Sequence, residues 1–74
     1  MSVLRLRRSE ITLLARKARA EMAADRGGES FGGKLPHAVR YVYHRALRHS
    51  MHRDEVPAAE RAAAERLILE AATR

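Results

Sequence analysis

The stretch 36–52, PHAVRYVYHRALRHSMH, divides into two faces when wound at 3.6 residues per turn. Val39, Val42, Tyr43, Ala46, Leu47 and Ser50 fall on one side, with Met51 at its border. His37, Arg40, Tyr41, His44, Arg45, Arg48 and His52 fall on the other. No acidic residue interrupts the stretch. A segment patterned in this way packs as a helix and turns a cationic strip, with one aromatic in it, to the outside.

What that helix packs against is limited by the rest of the chain. Its 74 residues make a single small domain, 1–74, with a thin core. Leu, Ile, Val and Phe number 15, about a fifth of the chain, and much of the remaining apolar content is alanine, which buries little area. A chain of this kind usually needs a staple or a partner. There is no cysteine, so disulfides and thiolate metal sites are excluded. The apolar runs are too short for a signal peptide or a membrane span, so the protein is expected in the cytoplasm, away from membranes.

The net charge of +6 is unevenly spread. Residues 1–26 carry seven Lys/Arg against three acids, and residues 37–53 carry four Arg and no acid, whereas residues 54–74 carry three Arg against five acids. This asymmetry points to polyanions or acidic protein surfaces as partners. High arginine and alanine usage across a whole genome is the plain alternative source of the excess.

The opening residues 1–8 alternate Leu4 and Leu6 with Arg5 and Arg7, a pattern open to a strand, a flexible basic arm or an early helical turn. Ser9 is the expected N-cap of a first helix, which then runs on Ile11, Leu14, Ala15, Ala18 and Met22. A second line, Leu6, Leu13 and Ala20, repeats every seven residues on another side and hints at a second contact. Gly27 and Gly28 should end this helix. Residues 27–35 read as a flexible glycine-rich connector, with Phe31 as a plug for the core. Pro36 opens the central helix. Asp54 is placed to cap a third, with Pro57 in its first turn and Ala64, Leu67, Ile68 and Ala71 as its apolar face.

Three motifs suggest chemistry. Gly28-Glu29-Ser30-Phe31-Gly32-Gly33-Lys34 matches the glycine-lysine core of a phosphate-binding loop, but Leu35 stands where a hydroxyl should hold magnesium. The string also follows a helix rather than a buried strand, so it reads as a linker. His49 and His52, at i and i+3, are the one histidine pair close enough to share an ion, and no further ligands complete a site, so no metal or cofactor is expected. No nucleophile, base and acid converge by spacing, so no enzyme is expected.

The expected fold is all-α: three helices near 9–26, 36–52 and 57–73, with the glycine-rich loop between the first two. The expected packed side is Ile11, Leu14, Ala18, Met22, Val39, Val42, Tyr43, Leu47, Leu67 and Ile68. The candidate binding residues are Arg40, Tyr41, His44, Arg45, Arg48 and His52, with Arg5, Arg7 and Arg8 on the amino-terminal arm. Two functions fit. One is a small regulator or inhibitor, of the kind phages and mobile elements make, docking on an acidic surface of a larger nucleic-acid machine such as RNA polymerase. The other is direct DNA or RNA binding through the central strip. The connector is too long for a helix-turn-helix and the third helix is net acidic, which favours the first.

Overall fold

The computed structural model describes residues 6–49 and 56–74, and the chain is a three-helix, all-α domain. Helix α1 spans Arg8–Ala24, α2 spans Leu35–Arg48 and α3 spans Ala58–Ala72. Each helix packs on both of the others.

The helix starts differ from the sequence expectation. Arg7, not Ser9, is the N-cap of α1, because Glu10 reaches back to accept a hydrogen bond from the Arg7 backbone N–H at 3.3 Å. This is one half of a capping box. The other half is missing, since a guanidinium has no acceptor to offer the first-turn amides. Residues 6–8 are therefore the approach to α1 and its first turn, and Leu6 packs against the core. Lys34 precedes α2, with Pro36 in the first turn, where no amide hydrogen is needed. Pro57 lies just outside α3 as its N-cap, and Asp54 lies outside the described residues. None of the three N-cap side chains makes a capping hydrogen bond.

The helix ends also move. Helix α1 stops at Ala24, three residues before Gly27, and α2 stops at Arg48, with His49 as its cap. Tyr43, Ile68 and Val39 are the largest fully enclosed side chains. Around them, Ala15, Ala18, Ala38, Ala64 and Ala72 are buried, and these small side chains let the helix backbones approach closely. Ile11 and Met22 are partly buried at the edge of this core.

Leu67 corrects the expected packing. It is 48 % exposed, while Ala72 is buried and Leu69 packs partly against the core. The inward stripe of α3 is Ala64, Ile68 and Ala72, spaced by four, and Leu67 falls on its flank.

Candidate functional site

Burial on α2 follows the helical period. Ala38, Val39, Val42, Tyr43 and Leu47 are buried, whereas His37, Arg40, Tyr41, His44, Arg45 and Arg48 are all exposed. At 100° per residue those six occupy one continuous arc of about 140°. At its edge nearest α3, the Arg40 Nε donates to Glu65 Oε1 at 3.3 Å. The Arg45 and Arg48 side chains have no ion pair or hydrogen bond to any other described residue. Tyr41 is 39 % exposed, with its ring centroid 5.5 Å from that of Phe31 and tilted by 55°. One side of the tyrosine is thus taken by the buried Phe31 ring, and its exposed remainder is an aromatic spot beside the arginines.

The remaining candidates divide. Arg7 and Arg8 are exposed at the start of α1, and no ion pair joins them to a described residue of α2. Arg5 and His52 lie outside the described residues.

The glycine-rich loop is more built than a slack connector. Asp25, at the end of α1, accepts the Ser30 N–H on Oδ1 at 2.8 Å and the Phe31 N–H on Oδ2 at 2.9 Å. These two amides hold the carboxyl below its ordinary value of 3.8. Gly32 N–H donates to Gly28 O at 2.9 Å, and Lys34 N–H to Phe31 O at 3.0 Å. Gly28 has a φ of +69°, and a Cβ on it would lie 3.2 Å from Gly33 N, so any other residue would be strained in this turn. Amides that a phosphate loop would aim at an anion are here committed to Asp25 and to the loop itself. The latch sets Phe31 into the core, where it is 7 % exposed. The plug expected from the sequence is present.

A second surface was not among the candidates. On the side of α1 and α2 away from α3, two adjoining cavities share Leu14, Lys17 and Ala46. The smaller, about 220 Å³, is lined by Leu6, Leu13, Tyr43 and Leu47. The larger, about 440 Å³, reaches Ala20, Glu21, Val42, Arg45 and His49. Leu13 is 51 % exposed on its lip. The signal for this groove was the seven-residue line Leu6, Leu13 and Ala20, all three of which line it. A third cavity, between α2 and α3, has the Arg40–Glu65 pair in its wall.

Among the described residues no three His, Asp or Glu side chains cluster in a way that could hold a metal ion. No described helix is long and apolar enough to cross a membrane. Comparison with protein families, with curated proteins and with solved structures finds no match for this chain.

Proposed function

We propose that this chain is a non-enzymatic docking protein that binds an acidic surface of a larger protein through the outer face of α2 and modulates that partner. The observation that carries the reading is the pair Arg45 and Arg48, exposed on α2 and unanswered by any described acid. Cations left open on a folded surface suit carboxylates supplied from outside, and arginine binds them bidentately. The exposed part of Tyr41 beside them, backed by the buried Phe31 ring, supports a protein partner over a phosphate backbone, since it gives a central anchor for a cationic rim. A nucleic-acid machine such as RNA polymerase is the proposed class of partner, with inhibition or regulation of transcription as the consequence.

The test is the double reversal Arg45→Glu and Arg48→Glu, with Arg40 retained because Glu at 40 would face Glu65. Helicity by circular dichroism should be unchanged, since Glu and Arg have similar helix propensity. Capture of a defined partner from nuclease-treated lysate should be lost. If the parent is instead retained on bulk duplex DNA with affinity falling log-linearly in salt, and captures no protein, direct nucleic-acid binding replaces this reading.

A further inference from the structure

We infer that the groove between α1 and α2 is the seat of a partner's acidic amphipathic helix, which inserts apolar side chains beside Leu13 and sets a carboxylate between Lys17 and Arg45. The inference rests on the docking reading and deepens it by naming the chemistry of the partner segment.

Three observations converge on this surface. First, α3 packs on one side of the α1–α2 pair and no described element covers the other, so the described helices are one short of a four-helix bundle. Second, the middle and one end of the open seam are lined in part by small residues. Ala20 and Ala46 face it, and small side chains allow a third backbone to come within ordinary helix-packing distance. Leu13 and Ala20 on α1, with Leu6 just before its N-cap, give a seven-residue row of contacts suited to a helical neighbour. Third, the ends of the groove differ in chemistry. The Leu6, Leu13 and Leu47 end is apolar apart from Glu10, whose carboxylate already caps α1, and Lys17, which it shares with the other end. Among the described residues that other end carries Lys17, Arg45 and His49 against the single acid Glu21. An occupant with apolar residues at one end and acid at the other matches both ends.

Charge also selects against the obvious rival. A second copy of this chain would bring a molecule of net charge +6 to a groove whose open end is already cationic. Arg45 stands on the groove and on the outer face of α2 alike, so the two surfaces form one continuous interface.

The test uses the full chain and a dye-labelled peptide of about 18 residues, with Leu at the a and d positions of each heptad and, elsewhere, Ala in one half and Glu in the other. Its controls are a scrambled peptide of identical composition and polyglutamate. Anisotropy should show saturable binding to the heptad peptide, and binding to both controls weaker by at least about tenfold. Ala46→Trp fills the seam from an exposed position and should weaken the heptad peptide by about tenfold or more, with helicity and melting unchanged. Leu13→Asp, at a half-exposed site, should do the same and stands in if the tryptophan variant fails to fold. The inference is overturned if no peptide binds, if a control binds as well as the heptad peptide, or if folded variants of both residues bind like the parent. Sedimentation of the chain alone provides the last arm. A dimer that Ala46→Trp dissociates would make a second copy the occupant and overturn the acidic-helix assignment. In each of these failures Arg48→Glu alone still reports independently on the α2 face, because Arg48 does not line the groove.

Discussion

Asp25 closes the loop that follows α1, with each carboxylate oxygen holding one backbone amide. Its folded pKa lies below its unfolded one, so the latch is fully present above the ordinary carboxylate range. It is lost as the pH falls through the folded value. We expect the Ser30 and Phe31 amides to exchange slowly with deuterium at neutral pH and to lose protection in acid. Asp25→Ala should remove that protection at every pH while the amides of α3 stay protected; unaltered exchange at Ser30 and Phe31 would mean that the carboxylate does not hold the loop. The plug was legible because a lone Phe in a small basic chain has few other uses. The latch was not, because hydrogen bonds spanning five and six residues depend on a glycine turn whose backbone angles composition alone does not specify.

Helix α3 illustrates how an element can be foreseen and its face misjudged. Alanine makes 58–72 helical by propensity alone. The same alanines flatten the contrast between sides, so that a stripe through Leu67 and one through Ala72 fit the letters equally well. Tilt against α1 and α2 then decides. Ile68→Ala should therefore cost about 2–5 kcal/mol in chemical denaturation, the range for truncating an enclosed aliphatic side chain. Leu67→Ala should stay within about 0.5 kcal/mol of the parent, as at ordinary surface positions. Equal losses at the two sites would reverse the assignment. On helix α2 the sequence placed Val39, Val42, Tyr43 and Leu47 inward and the arginines outward as the structure has them, because its polar side is charged. It put the exposed Ala46 on the packed side, however, and missed the buried Ala38. What the sequence left open there was the Arg40–Glu65 pair. With Arg40 69 % exposed, that pair adds little stability, and its main effect is to remove one cation from the outer face.

At the scale of the whole molecule, Tyr43 joins the helices. Burial raises its phenol above the ordinary value of 10.0; Glu65 and Glu60 push the same way, while Arg61 opposes them. All three charges sit on α3, so the ring of an α2 residue feels the other helix directly. The folded state holds the proton longer than the unfolded chain does. The contribution of Tyr43 to stability should thus be level below about pH 10 and fall as pH rises from there through the folded pKa. Melting temperatures measured across that window should show the decline in the parent and a shallower one in Tyr43→Phe.

The three helix starts have a different kind of consequence. Arg7, Lys34 and Pro57 stand where Ser, Asp or Asn would each add about 1 kcal/mol. Replacing them with Asp should raise the melting temperature stepwise, with nearly additive gains because the sites belong to three different helices. The natural chain forgoes these gains, so its lifetime when alone is short on reserve. Association would then supply what the caps do not, by mass action on the folded form. Under the proposed docking role, a surplus of the chain over its partner would be cleared by proteolysis of its open states, and the partner's abundance would set the level at which the protein persists.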